Sequence, residues 1–347
     1  MPAYPVDGAA GAALAETARA MVERGRGVLA ADESTTTMTD RLTKVGLDST
    51  PEVRRSYRQM LLQAPGLGQY VSAVILFDET IRQAAGDGRP FPDLVRAAGV
   101  LPGIKVDTGA KPLAGCSPET VTEGLDNLAG RLEEYSGLGA RFAKWRAVIR
   151  IGSGCPSAAA IHVNAHALGR YAALCQAAGL VPIVEPEVLM TGNHDIGTCE
   201  AVTTTVLRAV FAELAAQNVL LEGIVLKPSM VLPGDSSPEP ASVSEVAEST
   251  LRCLYRTVPA AVPGIAFLSG GQEDLVATEH LQAMNAGRTH PWALTFSYGR
   301  ALVAAALETW HGDPAEVPAA QQVLLSRAQA NAAASSGSYS PDVQAVG

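Results

Sequence analysis

Four acids and four bases stand at the ends of short apolar runs in this chain, at spacings that would turn them toward one place. Alternate residues of a β-strand point to the same face. "GIKVD" therefore sets Lys105 and Asp107 on one face, "FAKWR" pairs Lys144 with Arg146, and "VPIVEPE" pairs Glu185 with Glu187. "LEGIVLKPSM" carries Lys227 inside an apolar run, and Asp32 closes "GVLAAD". Unpaired buried ions cost several kcal/mol each, so a matched set of opposite charges is the composition that tolerates burial. The bland alternative is a solvated ion-pair network with no chemistry; five charged strand ends together argue for a site.

Among these groups Lys227 is the one suited to covalent chemistry. At an ordinary pKa near ~10.4 a lysine is almost fully charged at neutral pH and is no nucleophile. Apolar neighbours such as Val225 and Leu226, and a nearby cation such as Lys144, both favour the neutral amine. An amine prepared in this way condenses with a carbonyl to an iminium, which withdraws electrons from a neighbouring C–C bond. The nearby carboxylates supply the proton transfers.

Two later turns suggest what else the substrate carries. "FLSGGQ" offers the backbone N–H groups of Ser269, Gly270 and Gly271, and "FSYGR" offers Gly299 and the guanidinium of Arg300. Donor-rich turns at these two places suit a phosphate group. Together with the lysine they point to a phosphorylated carbonyl compound.

Such residues need a frame that gathers strand ends. Eight β-rich runs alternate with helical stretches: Gly27–Asp32, Val71–Phe77, Gly103–Asp107, Phe142–Ile149, Val181–Glu187, Glu222–Ser229, Gly264–Gly270 and Trp292–Gly299. Strands alternating with helices predict a parallel sheet, and eight such units predict a single closed (β/α)8 TIM barrel. Barrel sites lie at the C-terminal strand ends, where all these charges fall, and phosphate sites there often follow strands seven and eight. A doubly wound open sheet would call for a glycine-rich loop after its first strand, and "LAADESTTT" is not one. One helix is expected over residues 117–137, with Ser117 as its cap, Pro118 in its first turn and Gly137 at its end; another is expected to end at Gly179. The barrel with its N-terminal helix is expected over residues 1–331, and the small, polar stretch 332–347 reads as a flexible tail.

Composition excludes several classes. Of 347 residues 47% are hydrophobic, ample for a large core, and a net charge of −9 is wrong for a nucleic-acid or anionic-membrane surface. No run approaches the ~18 apolar residues of a membrane span. The alanine-rich start is interrupted by Glu16, Arg19, Glu23 and Arg24, which is not a secretory pattern. Five scattered cysteines read as reduced thiols of a cytoplasmic protein. No metal is expected: His162 and His166 have four-residue spacing but lack the glutamate of H-E-x-x-H and read as helix surface or interface. "GNHDIG" (192–197) and "GSG" (152–154) read as a polar loop and a turn.

The motifs quoted above, with "VILFDET", "DGRPFP" and "PWALTFSYGRAL", make the chain resemble the class I fructose-bisphosphate aldolases of the glycolytic type over roughly residues 8–340. The resemblance implies reversible cleavage of fructose 1,6-bisphosphate, without a cofactor, by a homotetramer. It makes Lys227 the Schiff-base lysine and Glu185 the acid/base of carbinolamine dehydration. Glu187 and Lys144 would assist, and Asp32 would act on the C4 hydroxyl. It makes Ser34, Arg41, Lys105 and Arg146 ligands of the distal phosphate and sugar hydroxyls, with Arg54 beside them. Ser269, Gly270, Gly271, Ser297, Gly299 and Arg300 would hold the C1-phosphate. Thr36 and Thr37 stand where many members have glycine and serine, and the last tyrosine is Tyr339 rather than a terminal one. A Schiff-base enzyme for another sugar phosphate would lack one of the phosphate stations. A non-catalytic scaffold would have lost Lys227, Glu185 or Asp32.

Overall fold

In the computed structural model, which describes residues 8–340, eight parallel strands close into a barrel. They are β1 (Gly27–Ala31), β2 (Val71–Leu76), β3 (Leu101–Lys105), β4 (Phe142–Ile149), β5 (Val181–Val188), β6 (Val225–Leu226), β7 (Gly264–Phe267) and β8 (Ala293–Tyr298). Each pairs with its sequence neighbours, and β8 returns to β1. All residues of β1, β2, β5 and β7 are buried. That is why β1, β2 and β7 read as nearly continuous apolar runs rather than as alternating ones, and why the glutamates of β5 stand out.

Most expected strands fall within a few residues of the observed ones. The exception is the sixth, expected over Glu222–Ser229: Leu221–Gly223 forms a 3-10 turn and only Val225–Leu226 is strand. Lys227 follows directly, anchored by its own N–H to the carbonyl of Val184 at 2.8 Å. The expected helix over 117–137 is also corrected. Its first half is a β-hairpin, Ala110–Pro112 against Thr120–Thr122, and the helix runs only over Leu128–Gly137. Thr120, Val121 and Thr122 are β-branched and pair across a gap of seven residues, which outweighs the capping signal at Ser117. The helix Ala158–Ala177 is capped by Ser157, and Gly179 follows its end, as expected for that end.

Two apolar layers hold the frame. The larger lies between the barrel and its ring of helices. The smaller fills the barrel's lower end, where Leu14, Ala18, Met21 and Val22 meet Val28, Ile75, Phe142, Ile183 and Val225. Gly103 makes room there, since a Cβ on it would lie 2.2 Å from the Phe142 ring. At the other end of the chain, the boundary expected at residue 331 falls inside a helix that runs over Val317–Ser335, with Ala332, Ala334 and Ser335 buried. Tyr339 packs on the main core and its N–H donates to Gln282 Oε1 at 2.9 Å. Residues 341–347 of the expected tail lie outside the described residues.

Candidate active site

On β4 and β5 the inward-facing row changes from apolar to charged as it climbs toward the C-terminal end. On β4 it reads Phe142, Lys144, Arg146; on β5 it reads Val181, Ile183, Glu185, Glu187. The register sets Lys144 beside Lys105 and Arg146 beside Glu185. The outward row of β4 (Ala143, Trp145, Ala147, Ile149) belongs to the layer under the helices.

These rows bring the expected charges into contact. Lys227 Nζ lies 3.2 Å from Glu185 Oε1, and Lys144 Nζ lies 3.2 Å from Glu185 Oε2 and 2.8 Å from Asp32 Oδ2. Lys105 pairs with Asp107 at 2.7 Å, and Arg146 pairs with Glu187. Lys227, Lys144 and Glu185 are each 3–4% exposed, so this is an ion network inside the protein. Glu185 Oε2 makes no hydrogen bond with any described residue.

The network divides the two lysines. Burial pushes both toward the neutral amine. At Lys144 the opposing carboxylates Asp32, Glu185 and Asp107 win, and its ammonium is held well above the usual range. At Lys227 burial is opposed by Glu185 but reinforced by Lys144, and its pKa falls below the ordinary lysine value. Burial alone would raise the two acids. Lys144 and Lys227 outweigh it at both, with Arg146 adding at Glu185, and hold Asp32 and Glu185 below the usual carboxylate range. The site thus contains one fixed cation, one lysine eased toward a nucleophile, and two ionised acids between them.

Above this network opens a cavity of about 680 Å³, lined by Asp32, Ser34, Arg41, Lys105, Lys144, Arg146 and Gly299, with Thr36 and Thr37 at its edge. Ser34 caps the helix Thr35–Lys44, accepting from the N–H of Thr37. Arg41 reaches the cavity from that helix and pairs with Glu33. Glu33 also receives buried Arg58, making a second charge cluster behind the first. Sequence reasoning missed Glu33: its neighbour Asp32 points into the barrel, and nothing local marks a pairing to an arginine 25 residues away.

Arg54, expected among the substrate ligands, is not brought to the cavity. Its guanidinium is forked onto Glu79 at 2.8 and 2.6 Å and bonds the Ser49 carbonyl at 2.7 Å. These donors go to the short helix Asp78–Ile81 that follows β2 and to Ser49.

On the opposite rim Ser269, Gly270 and Gly271 form the turn after β7. Gly270 and Gly271 have φ of 57° and 96°, and their N–H groups bond no described residue. Ser297, at the end of β8, is buried with an unpartnered hydroxyl among the described residues. Gly299 precedes the helix Arg300–Trp310, with space at its Cα limited by the Ala30 carbonyl 3.2 Å from where a Cβ would sit. Arg300 is exposed at that helix's first turn. The two glycine N–H groups are open at the rim, the buried Ser297 hydroxyl is left without a partner among the described residues, and together they offer donors that an anion could take up.

The other sequence features have structural partners. His162 and His166 both face Glu213 on the next helix, at 3.8 and 3.1 Å. Among the described residues no group of three His, Cys, Asp or Glu could hold a metal ion. Asp195 of "GNHDIG" caps the helix Ile196–Ala216, and residues 152–155 form a turn. The five cysteines are unbridged. No described helix is long and apolar enough to cross a membrane.

Comparison with known proteins agrees with this geometry. The family model described as "Fructose-bisphosphate aldolase class-I" matches residues 13–346. A protein of Xanthomonas axonopodis pv. citri named "Probable fructose-bisphosphate aldolase class 1" is 57% identical over 94% of this chain and 98% of its own. The cytosolic fructose-bisphosphate aldolase 6 of Arabidopsis thaliana is 52% identical over 92% of this chain and 89% of its own. Among solved structures, the fructose-bisphosphate aldolase of Plasmodium falciparum, crystallised with TRAP and a small-molecule inhibitor, superposes with a TM-score of 0.95. It is 46% identical and covers 96% of this chain and 97% of its own. By fold and by sequence over nearly its whole length, the chain belongs to the class I fructose-bisphosphate aldolase family.

Proposed function

We propose that the barrel's charged end cleaves fructose 1,6-bisphosphate to dihydroxyacetone phosphate and glyceraldehyde 3-phosphate through an iminium on Lys227. The observation that carries this reading is the buried lysine amine 3.2 Å from a carboxylate that is itself 3.2 Å from a second lysine. Glu185 is ionised at rest and takes the proton of Lys227 across that gap. One transfer produces both reagents needed next, a neutral amine and a carboxylic acid. The amine adds to the C2 carbonyl, and the acid returns its proton to the carbinolamine hydroxyl, which leaves as water.

Cleavage of C3–C4 then sends its electron pair into the iminium as the C4 hydroxyl gives up its proton. Asp32 is the base for that step, buried beside Lys144 and ionised. Lys144 stays charged throughout and balances whichever of Asp32 and Glu185 is anionic. Protonation of the enamine at C3 and addition of water to the iminium release the second product. Arg41, Lys105, Arg146 and Ser34 hold the distal phosphate and hydroxyls, Glu187 steadies Arg146, and the turns at 269–271 and 297–300 hold the phosphate near the lysine. The homotetramer and the cytosolic location implied by the family resemblance complete this reading.

Reduction with borohydride in the presence of dihydroxyacetone phosphate tests it. Peptide mapping is expected to find the adduct on Lys227. Label on Lys144 or Lys105 would show that the wrong amine had been assigned.

A further inference from the structure

The turn at Ser269–Gln272 is held by more than its backbone. The N–H of Gln272 and its side-chain Nε2 both donate to the Ser269 carbonyl, each at 3.0 Å. Nε2 also reaches Met230 Sδ at 3.7 Å, and Oε1 meets His280 Nδ1 at 2.7 Å. Gln272 and His280 are 5% and 4% exposed, so the chain lies inside the protein. Its direction follows from chemistry. An amide turned the other way would set its oxygen against the Ser269 carbonyl, acceptor against acceptor. With Nε2 on Ser269, Oε1 must accept from His280, which therefore carries its proton on Nδ1. Burial supports this by pushing the ring's pKa down to about 4, which keeps it neutral with one N–H to give.

What the chain closes is a turn with both central residues in the left-handed region, a conformation only glycine takes readily. Its two successive free N–H groups form the kind of concavity that takes an anion. The clamp also sets where that concavity sits. Met230 lies three residues beyond Lys227, and the N–H of Leu268 bonds the carbonyl of Pro228, next to Lys227, at 3.2 Å. The turn and the lysine are thereby held at a set separation.

We infer that Gln272 and His280 are positioning residues of the reaction: their buried hydrogen-bond chain shapes the 269–272 turn and keeps it in register with Lys227, so that a substrate phosphate bound there delivers its carbonyl to the amine. The inference rests on the proposed function and names residues that touch no substrate.

The test compares Gln272→Met, His280→Leu and His280→Asn in the full-length enzyme. An asparagine amide nitrogen lies about where histidine carries Nδ1, so it can give the same hydrogen bond. Gln272→Met and His280→Leu are expected to raise KM for fructose 1,6-bisphosphate, and the inhibition constant for inorganic phosphate, about tenfold, as loss of one buried hydrogen bond allows. Turnover at saturation should stay within about twofold, and His280→Asn should return KM to near the wild-type value. Unchanged KM in both variants, a fall confined to turnover, or no recovery with asparagine would each overturn the inference. Should the melting temperature show that neither of the first two variants folds, Gln272→Asn decides. Its amide is one methylene too short to span Ser269 and His280, and unchanged KM there is equally fatal. Borohydride labelling of the wild type separates the two levels. Label on Lys227 with unmoved KM in the variants sinks only the clamp; no label on Lys227 sinks the reading of the site.

Discussion

The two ends of this barrel are built from the same strands and do opposite things with them. At the lower end Val28, Ile75, Phe142, Ile183 and Val225 meet the N-terminal helix in a wholly apolar layer. One pleat repeat higher, about 7 Å along each strand, the same inward rows present Lys144, Glu185 and Lys227. The lower layer needs only shape, and dispersion and exclusion of water hold it. The upper layer is held by charge balance, and its members remain ionised only because each has an opposite neighbour. The difference also explains Lys227. Its pKa falls because the apolar layer beneath and the walls around it deny it water, while the network above limits how far it falls. The lower end therefore contributes to the chemistry by being featureless.

The sharpest way to break this division is to remove the amine while leaving the charge. Lys227→Arg keeps a cation opposite Glu185 but cannot form an imine. Turnover should drop by at least about a thousandfold, about 4 kcal/mol of barrier, with no borohydride adduct. Glu185→Gln should retain a slow adduct, because the amine survives while dehydration loses its acid, at a cost of about a hundredfold or more. Equal adduct in Glu185→Gln and wild type would take Glu185 out of the dehydration step.

The lower end is expected to respond in the opposite currency. Phe142→Ala removes a fully buried ring from the floor of the barrel. It should cost about 3–5 kcal/mol of stability, read as a lower denaturant midpoint. Turnover of the folded enzyme should change by no more than about threefold. If the folded variant is inactive, floor and site are not separable, and the contrast drawn above fails.

This contrast was itself legible in the sequence, for a physical reason. A strand buried on both faces reads as a run of β-branched residues, and a charge inside such a run has no cheap explanation. Lys105, Lys144, Glu185 and Lys227 therefore announced both the strands and the end at which a site would lie. Where pairing is distant, the signal vanished. At Thr120–Thr122 two local signals conflict, a β-branched run and a Ser-Pro that reads as a helix start, and only pairing with Ala110–Pro112 decides between them. Glu33 and Arg58, or Arg54 and Glu79, find one another across 25 residues, so neither pair could be read locally. The Gln272–His280 clamp has the same character, since its meaning lies in a carbonyl and a sulfur that only the fold supplies.

A smaller effect sharpens the electrostatic half of the comparison. Lys144 is a cation close to Lys227 and adds to the burial that lowers its pKa. Removing it in Lys144→Ala makes protonation of Lys227 easier, so that pKa must rise. The pH profile of imine capture should then move to higher pH, and at neutral pH the variant should form adduct more slowly than wild type but not lose it. A shift to lower pH would mean that Lys144 acts on Lys227 mainly by keeping Glu185 ionised, so that its loss removes the anion opposite the amine.

The smallest expected change in catalysis is at Arg54. The family resemblance implies both Arg54 and Arg41, 13 residues before it, as ligands, yet the two arginines are used differently. Arg41 lines the cavity, a quarter exposed, with Glu33 behind it. Arg54 spends its fork on Glu79 and its remaining Nη1 donor on Ser49. Phosphate could recruit Arg54 only by displacing a bidentate carboxylate, which a charge-assisted pair of that geometry resists. Arg54→Ala should therefore leave KM within about twofold while lowering stability by about 1–3 kcal/mol, because Glu79 and the Ser49 carbonyl lose their donor. Arg41→Ala should raise KM by about tenfold or more. Should the two variants raise KM alike with stability untouched, the Glu79 pair must open when substrate binds, and Arg54 would return to the site as a ligand.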